Sequence, residues 1–389
     1  MISRSALTTA HRLAKGFPVV ALTGPRQSGK TTLARQAFPD KPYVSLEDPE
    51  ERNFAMTDGR AYLARFPHGA IIDEAQRCPP LFNYLQGVVD ERGRRGEFVL
   101  TGSQQFGLMS RITQSLAGRV GQVQLLPLSL LELSAAGLAP DSLAQTLWRG
   151  AYPALHVHGV APLDWFPNYV ATYVERDVRQ LLTVRDLSLF QRFLRMCAAR
   201  TGQLLNLSAL AADCGITHVT AREWITVLEA SYVVYLLRPY HRNFGKRLVK
   251  TPKLYFYDTG LAAWLLGIKS AETLAAHAQR GALFECWVIG EMIKREFNAG
   301  YPADFYFWRD NVGHEIDLLR PQGQRIQPIE IKSGSTFAPD WLDGLQRFVQ
   351  VVGAEAGTPG LVYGGQASYA RGACQVLGWR QLGKEPHDG

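Results

Sequence analysis

A glycine-rich segment near the amino terminus has the residue types and spacing that bind phosphate. It follows the apolar run Val19–Leu22 and comprises Gly24, Pro25, Arg26, Gln27, Ser28, Gly29, Lys30, Thr31 and Thr32. Glycines let the backbone curl so that successive N–H groups point at phosphate oxygens. In such a P-loop, Lys30 is expected to reach the β- and γ-phosphates and the Thr31 hydroxyl to bind Mg²⁺. The segment therefore predicts a site for ATP and Mg²⁺.

Two adjacent carboxylates end a second apolar run. Asp73 and Glu74 directly follow Ile71-Ile72, about 40 residues after the P-loop. A buried parallel strand that ends in carboxylates places them at the sheet edge where ligands of open α/β folds bind. We expect Asp73 to hold Mg²⁺, through water, and Glu74 to polarise the attacking water. This pair favours hydrolysis, and a P-loop kinase that transfers phosphate to a small acceptor stays an alternative.

Two further residues are candidates for sensing the γ-phosphate. The apolar run Phe98–Leu100 ends in hydroxyls, and Ser103 (or Thr101) is expected to lie between the P-loop and the carboxylate pair. A simple polar strand end is the alternative. Arg119 follows a glycine turn and is a candidate arginine finger, acting in cis or across a subunit interface. A solvated surface arginine explains Arg119 equally well.

The carboxyl-terminal third carries a second set of candidate residues. A predicted helix over 282–297 places Glu285 beside apolar positions, and an inward carboxylate needs a partner or a metal. Asp317 lies in one predicted strand, and Glu330 and Lys332 lie on the same face of the next. This order resembles the PD-(D/E)XK nuclease fold. The resemblance implies that Asp317 and Glu330 hold a second divalent metal, that Lys332 positions water, and that Glu285 is an outer carboxylate.

Helices and strands must position these candidate residues. The pattern of apolar residues along the chain predicts an α/β protein. Residues 1–135 alternate apolar strands with helices, as in a parallel-sheet P-loop ATPase domain. A helical connector over 136–190 follows, then a winged helix over 191–265 and a nuclease-like α/β domain over 266–389. In the winged helix, Ser208 is the predicted cap of a helix over 209–213, and a second helix covers about 219–230.

Basic residues are concentrated after the second of these helices. The stretch from residue 238 to residue 253 contains no acidic residue and six basic ones, Arg238, Arg242, Lys246, Arg247, Lys250 and Lys253. Its centre, 241–247, is the predicted wing tip. A recognition-type helix beside a basic wing suits contact with the backbone of double-stranded DNA. Winged helices also serve as protein–protein spacers, and the residue pattern leaves both alternatives open.

Composition limits the class of protein. The chain has 389 residues, 46% hydrophobic and 20% charged, with a formal charge of +7. Its apolar runs are too short to span a bilayer, and five scattered cysteines without a C-x-x-C pair indicate neither a disulfide framework nor a structural zinc. These properties predict a globular protein of the cytoplasm, without a membrane partner, and permit binding to nucleic acid.

Four motifs together resemble the prokaryotic AAA-like ATPases that are fused to a carboxyl-terminal region of unknown function. They are the P-loop, Ile71–Gln76, Leu100–Gln104 and Leu116–Arg119. The resemblance covers most of the chain, since Tyr169–Arg179 and Lys253–Ala262 resemble the carboxyl-terminal region of that family. It implies an ATPase whose nucleotide state regulates a DNA-binding, nuclease-like module. A non-cutting switch that binds DNA or protein is the alternative, and Arg119 acting in trans would require self-association.

Overall fold

The structure is a computed structural model that describes residues 2–103, 115–174, 186–240, 250–310 and 312–384. The chain folds into two compact units. Unit 1 contains residues 1–128 together with the short stretches 230–232 and 294–302. Unit 2 contains residues 129–229, 233–293 and 303–389. The predicted boundaries at 190 and 265 fall inside unit 2 and stay predictions.

Unit 1 is built on a five-stranded sheet. Its strands are β1 (Val19–Thr23), β2 (Tyr43–Ser45), β3 (Ile71–Asp73), β4 (Phe98–Gly102) and β5 (Val120–Gln124). They lie in the order β2-β3-β4-β1-β5, and every neighbouring pair is parallel. β1 and β4 are buried along their whole length, as parallel strands covered on both faces should be. The parallel α/β fold predicted for this part is therefore confirmed.

Helices cover both faces of this sheet. They are α1 (Ala6–Gly16), α2 (Lys30–Ala37), α3 (Pro49–Thr57), α4 (Gly59–Ala64) and α5 (Leu81–Arg92), with a 3₁₀ turn at Ala75–Arg77. Strand residues alternate between two apolar cores, because successive side chains of a strand point to opposite faces. Val19 and Ala21 belong to one core, and Val20 and Leu22 belong to the other. The two cores hold the sheet between them, so the ends of its parallel strands stay at the same edge.

Unit 2 begins with a helical part. Its helices are α6 (Leu130–Ala135), α7 (Leu143–Arg149), α8 (Pro153–Val157), α9 (Pro162–Tyr169), a π-helical turn (Val170–Val174), α10 (Leu187–Ala199), α11 (Leu207–Cys214), α12 (His218–Ala230), α13 (Thr259–Leu265), α14 (Ala271–Ala275), α15 (Arg280–Ala299) and α16 (Asp343–Val352). The residues of α15 from Lys294 onward belong to unit 1, as does Ala230.

Unit 2 also contains a mixed eight-stranded sheet. Its strands are β6 (Val234–Pro239), β7 (Lys253–Phe256), β8 (Tyr306–Arg309), β9 (Glu315–Gln322), β10 (Arg325–Lys332), β11 (Gly360–Tyr363), β12 (Tyr369–Arg371) and β13 (Cys374–Gly378). Their order is β12-β13-β11-β10-β9-β8-β6-β7. β9 and β10 form an antiparallel hairpin, and β10, β11 and β13 run parallel. The nuclease-like region is therefore a mixed α/β layer, while its assignment to the nuclease fold stays a prediction.

The predicted winged helix has the expected elements with shifted ends. Helices α11 and α12 are followed by the antiparallel pair β6 and β7. Asn206, and not Ser208, caps α11, since its side chain accepts a hydrogen bond from the N–H of Ala209 at 3.0 Å. The predicted wing tip and residues 175–179 of the Tyr169–Arg179 segment lie outside the described residues. The winged-helix assignment itself stays a prediction.

The position of Lys253 corrects the prediction that all six basic residues of the stretch 238–253 contact DNA. Its side chain is buried, with only 3% of the residue exposed, whereas Arg238 and Lys250 are exposed. A buried ammonium group cannot contact a DNA backbone, so Lys253 does not belong to the predicted DNA-contacting set. Asp258 caps α13 by accepting a hydrogen bond from the N–H of Leu261 at 2.9 Å.

A last observation concerns membranes. None of the helices in the described ranges combines the length and the apolar character that crossing a lipid bilayer requires.

Candidate functional site

The P-loop joins β1 to α2 and takes a curled path. Gly24 and Gly29 have φ values of +145° and +94°, and Gln27 has a φ of +60°. Lys30 is the first residue of α2, and its Nζ donates to the carbonyl oxygens of Gly24 at 3.0 Å and Pro25 at 2.8 Å. The ammonium group thus lies over the loop, 6% exposed as a residue.

The other P-loop residues differ in exposure. Arg26 and Ser28 are buried, whereas Gln27 and Thr32 are exposed. The Ser28 hydroxyl is a buried oxygen without a hydrogen-bond partner among the described residues. Such a group is costly to leave unpaired, so the Ser28 hydroxyl is a candidate hydrogen-bonding group for a ligand at the loop.

Asp73 is the meeting point of four elements. Its carboxylate accepts from the Thr31 hydroxyl of α2 at 3.2 and 3.3 Å and from the Tyr43 hydroxyl of β2 at 2.7 Å. The Thr101 hydroxyl of β4 also donates to it. Burial, followed by the hydrogen bond to Asp73, raises the pKa of Tyr43 to about 12, so the phenol stays a donor. These contacts hold the carboxylate beside Thr31.

Glu74 lies one residue beyond the end of β3 in a left-handed conformation, with φ +52°. Its N–H donates to Thr101 Oγ1 at 3.4 Å, and its Oε2 accepts from Ser103 Oγ at 3.1 Å and from the Gln76 amide. A positive φ is unusual for a residue with a side chain and often marks a functional position. The Glu74 carboxylate thus contacts Ser103, while its backbone N–H contacts Thr101 of the Asp73 cluster.

The sheet order explains why these groups meet. β4 lies between β1 and β3, so the residues that follow it stand between the P-loop and the carboxylate pair. Ser103 is therefore found at the place the sequence predicts for it. Lys30, Thr31, Asp73, Glu74 and Ser103 all lie at the carboxyl edge of one parallel sheet.

These residues fit ATP and Mg²⁺. The Thr31 hydroxyl and the Asp73 carboxylate are hard oxygen ligands within 3.3 Å of each other, which is the donor set that Mg²⁺ takes from a protein. Lys30 and the curled backbone supply positive charge and N–H donors for phosphate. The unpaired Ser28 oxygen adds a further polar group at the same loop.

Arg119 does not join the other candidates. Its carbonyl oxygen accepts from the N–H of Val19 at 3.1 Å, and it directly precedes β5. It therefore lies at the amino edge of the sheet, opposite the P-loop. Its guanidinium group pairs with Asp90 of α5 through two hydrogen bonds of 2.5 and 2.8 Å. In this arrangement Arg119 does not reach Glu74 of its own chain, and a role in trans stays a prediction.

Sequence reasoning missed Arg4. This buried guanidinium group donates to the carbonyl oxygens of Ser28 at 2.6 Å and Leu126 at 2.7 Å, which ties the P-loop to the segment after β5. An arginine four residues from the start carries no periodic signal. The only hint in the sequence is an arginine just before the apolar face of a helix that precedes the P-loop strand.

Tyr232 was missed as well. Its hydroxyl donates to Thr23 Oγ1, the residue before Gly24, at 3.0 Å, and accepts from the Gln124 amide at 3.4 Å. Tyr232 has a φ of +56° and is 1% exposed. Because 209 residues separate it from Thr23, only the folded chain reveals the contact.

The second candidate set does come together in unit 2. The Asp317 carboxylate of β9 accepts from the N–H of Ile331 at 2.8 Å and lies 4.0 Å from Lys332 Nζ. Lys332 Nζ also pairs with Glu330 Oε1 on the same strand face. Glu285 of α15 is held by Lys253 Nζ at 3.0 Å and by the Tyr255 hydroxyl. All four predicted residues therefore belong to one cluster, with Lys253 as an unexpected fifth member.

Burial controls the protonation of this cluster. Loss of solvent, with a contribution from the charge of Asp317, raises the pKa of Glu285 to about 7 and that of Glu330 to about 8. Burial likewise raises the pKa of Asp317, opposed by the positive charges of Lys332 and Lys253. Perturbed carboxyl groups of this kind are common at functional sites and also in structural ion-pair networks.

The cluster does not fit a divalent metal. In the part of the chain that the structure describes, no group of three histidine, cysteine, aspartate or glutamate side chains is arranged to hold one. One oxygen of each carboxylate already accepts a hydrogen bond: Glu285 Oε1 from Lys253 and Tyr255, Glu330 Oε1 from Lys332, and Asp317 Oδ2 from a backbone N–H. Glu330 Oε2 is buried without a described partner, and a metal shared by the three carboxylates would compete for their oxygens with the ammonium groups of Lys253 and Lys332.

Three protein families match successive parts of the chain. Residues 16–134 match the family described as "AAA domain". Residues 140–272 match "Domain of unknown function (DUF8612)", and residues 280–382 match "Domain of unknown function (DUF4143)". The first match covers the P-loop, the Asp73-Glu74 pair and Ser103.

Solved structures share only a general likeness. One is the Walker-type ATPase PABY2304 of Pyrococcus abyssi, with a TM-score of 0.45, 14% identity, and coverage of 67% of this chain and 94% of that one. Another is the Signal Transduction ATPase with Numerous Domains protein PH0952 of Pyrococcus horikoshii, with a TM-score of 0.24 and 12% identity. The latter match covers 76% of this chain and 47% of that one.

Two mycobacterial proteins are similar over most of the chain. They are the uncharacterized proteins Mb2031c of Mycobacterium bovis and Rv2008c of Mycobacterium tuberculosis. Each is 33% identical over 338 residues, which is 86% of this chain and 74% of the relative. The chain therefore belongs to the same family as these mycobacterial proteins, and its amino-terminal part is an AAA-type P-loop ATPase domain.

Proposed function

We propose that unit 1 binds ATP with Mg²⁺ and hydrolyses it at the carboxyl edge of its sheet. The observation that carries this proposal is the connected set of side chains there. Thr31 contacts Asp73, Asp73 contacts Thr101, and Ser103 contacts Glu74. A P-loop, an acidic pair and a strand-end hydroxyl thus share one surface, as hydrolysis of a phosphoanhydride requires.

Each residue has a role that follows from its position. The N–H groups from Arg26 to Thr31 and the Lys30 ammonium group bind the phosphates, while Thr31 and Asp73 hold Mg²⁺. Bound Mg²⁺ neutralises charge on the phosphates. Glu74 orients and polarises the attacking water, and Ser103 fixes the Glu74 carboxylate through its 3.1 Å hydrogen bond.

Measuring phosphate release tests this assignment. We expect Lys30→Ala to lose ATP binding, and Glu74→Gln to retain binding while its kcat falls by about 10² or more. Glu91→Gln, an exposed carboxylate on α5, is the matched control and should release phosphate at the normal rate. Hydrolysis by Glu74→Gln at the normal rate would contradict the role given to Glu74. Transfer of phosphate to a small acceptor, without free phosphate, would favour the kinase alternative.

Arg119 enters the proposal only through a neighbouring copy. In its own chain the side chain pairs with Asp90 at the opposite edge of the sheet. We therefore propose that, if it acts as a finger, it does so after self-association has released it from Asp90. Molecular mass in solution with and without ATP tests this. A monomer in both conditions, with hydrolysis unchanged in Arg119→Ala, would remove Arg119 from the mechanism.

We further propose that the nucleotide state controls binding of double-stranded DNA by unit 2. Two exposed basic side chains support DNA binding. Arg238 lies near the end of β6, and Lys250 lies in the segment just before β7. DNA binding measured with ATP, with ADP and with Lys30→Ala is the test. Equal affinity in all three states would reject control by nucleotide, and a protein partner would then be the alternative.

Plasmid DNA incubated with ATP and Mg²⁺ or Mn²⁺ separates a cutting module from a non-cutting one. Cleavage that disappears in Asp317→Ala would assign nuclease activity to the unit 2 cluster. Binding without cut products would assign a switch that acts by binding alone.

A further inference from the structure

A buried lysine brings a positive charge into the unit 2 cluster. Lys253 is the first residue of β7, and it is 3% exposed. Its Nζ lies 3.0 Å from Glu285 Oε1 and also pairs with Glu315 Oε1. The Phe307 ring centroid is 5.5 Å from the same nitrogen. The ammonium group is thus enclosed by carboxylates on one side and an aromatic ring on another.

The charges around Lys253 come from three different elements. Glu285 lies on α15, while Glu315 and Asp317 lie on β9. The negative charges of all three favour the protonated amine and hold the pKa of Lys253 above its usual value, although burial opposes them. Through its two ion pairs, Lys253 is the cation that neutralises Glu285 and Glu315.

The remaining carboxylates of the cluster are also paired. Lys332 Nζ contacts Glu330 and lies 4.0 Å from Asp317, and Arg309 lies 3.3 Å from Glu315. Three cations thus face four carboxylates. A divalent cation bound by Glu285, Asp317 and Glu330 together would be repelled by the ammonium groups of Lys253 and Lys332, which pair with Glu285 and Glu330.

We propose that Lys253 is the resident cation of this cluster and takes the place of a divalent metal. Unit 2 then holds its carboxylates together without a metal. It acts by binding double-stranded DNA and does not cleave it with a metal. The inference concerns the output module of the proposed function and is independent of ATP hydrolysis in unit 1.

Uptake of Mn²⁺ by the full chain, measured without nucleotide, tests the proposal. We expect wild type and Asp317→Asn to bind the same number of Mn²⁺ ions, because the cluster takes none. Lys253→Met removes the charge but keeps a chain of similar length, and it should gain one Mn²⁺ per chain. That additional ion should be lost again in the double variant with Asp317→Asn. Lys253→Arg keeps the charge and should gain no ion.

Two results would overturn the proposal. One is Mn²⁺ binding by wild type that Asp317→Asn abolishes. The other is a folded Lys253→Met, with normal phosphate release, that gains no Mn²⁺. If Lys253→Met does not fold, the comparison of wild type with Asp317→Asn still decides the matter. Loss of phosphate release in every variant would instead point to a fault in unit 1 and leave the Mn²⁺ counts valid.

Discussion

Gly24 shows how one residue constrains the nucleotide site. A Cβ atom built at this position would lie 2.1 Å from the carbonyl oxygen of Leu125, and the residue has a φ of +145°. Both facts require glycine, because an L side chain would clash with backbone and strain the dihedral angle. The first glycine of the P-loop therefore serves the packing of β1 against the segment after β5 as much as the approach of phosphate.

Replacing Gly24 by alanine should be costly. We expect the free energy of unfolding to fall by at least about 2 kcal/mol, because both steric overlap and backbone strain must be relieved. Gly87→Ala is the control, since that glycine lies exposed in α5 with nothing within 4 Å. It should raise the free energy of unfolding by up to about 1 kcal/mol. Chemical denaturation of both variants measures the difference, and equal stability would contradict the steric argument.

Glu330 predicts a pH dependence of stability. Its folded pKa of about 8 lies above that of an exposed glutamate, because burial and Asp317 outweigh Lys332. Between the two values the folded state binds more protons than the unfolded state, so stability falls as pH rises. This contribution is complete below the unfolded pKa, about 4.3, and lost as pH passes through the folded pKa.

Glu330→Gln should remove this part of the pH dependence. Between about pH 5 and about pH 9, the free energy of unfolding of wild type should fall by at least about 1 kcal/mol more than that of Glu330→Gln. Glu91→Gln, which is exposed, should follow the wild-type curve. Parallel curves for wild type and Glu330→Gln would show that the carboxyl group titrates in the folded state as it does in water.

At the scale of elements, strand direction decides which sequence predictions succeed. A residue that follows a buried parallel strand lies at the carboxyl edge, so Asp73, Glu74 and Ser103 could be placed from the apolar runs before them. Arg119 precedes the run 120–124 and must lie at the opposite edge by the same reasoning. The glycine turn before Arg119 suggested an arginine finger acting in cis, and the position of the following strand excludes that role.

The segment before α1 is a second element with a role at the site. Arg4→Ala would remove two hydrogen bonds from a buried charged group to Ser28 and Leu126. We expect the free energy of unfolding to drop by about 2 kcal/mol or more. We also expect the KM for ATP to rise while kcat at saturation changes less, because the loop becomes less ordered before it binds.

Arg95→Ala provides the comparison for Arg4. This arginine is exposed in the turn after α5, and its loss should change stability by less than about 0.5 kcal/mol. An Arg4→Ala protein with a normal KM for ATP and normal stability would show that the contacts of Arg4 with the Ser28 and Leu126 carbonyl oxygens do not hold the loop.

At the scale of the whole molecule, long-range contacts are what the sequence does not show. Local spacing was sufficient for the P-loop, for the β9–β10 hairpin and for Glu330 and Lys332 on one face. Lys253 was assigned to a basic surface because its neighbours along the chain are basic. Its position beside Glu285 and Glu315 depends on the order of strands in a sheet, and that order has no signature in a single sequence.

Tyr232 offers a test of such a long-range contact. Tyr232→Phe should lower the free energy of unfolding by about 1 kcal/mol, since the hydroxyl groups of Tyr232 and Thr23 lose their hydrogen bond. Tyr301→Phe changes a residue that is 59% exposed and should have little effect. Thermal unfolding of the two variants compares them. An unchanged Tyr232→Phe protein would mean that the buried hydroxyl contributes nothing to unit 1.

The division of unit 1 into separated stretches affects how a cell makes the protein. Residues 1–128 leave the ribosome first, residues 230–232 follow after about 100 further residues, and residues 294–302 follow after about 170. At translation speeds of about 5 to 20 residues per second, the shorter interval lasts roughly 5 to 20 seconds and the longer one roughly 10 to 35 seconds. Thr23 has no Tyr232 to contact until the shorter interval ends, and the nascent ATPase domain is incomplete until the longer one ends. The phosphate-binding loop is therefore synthesised well before the last residues of the unit that holds it.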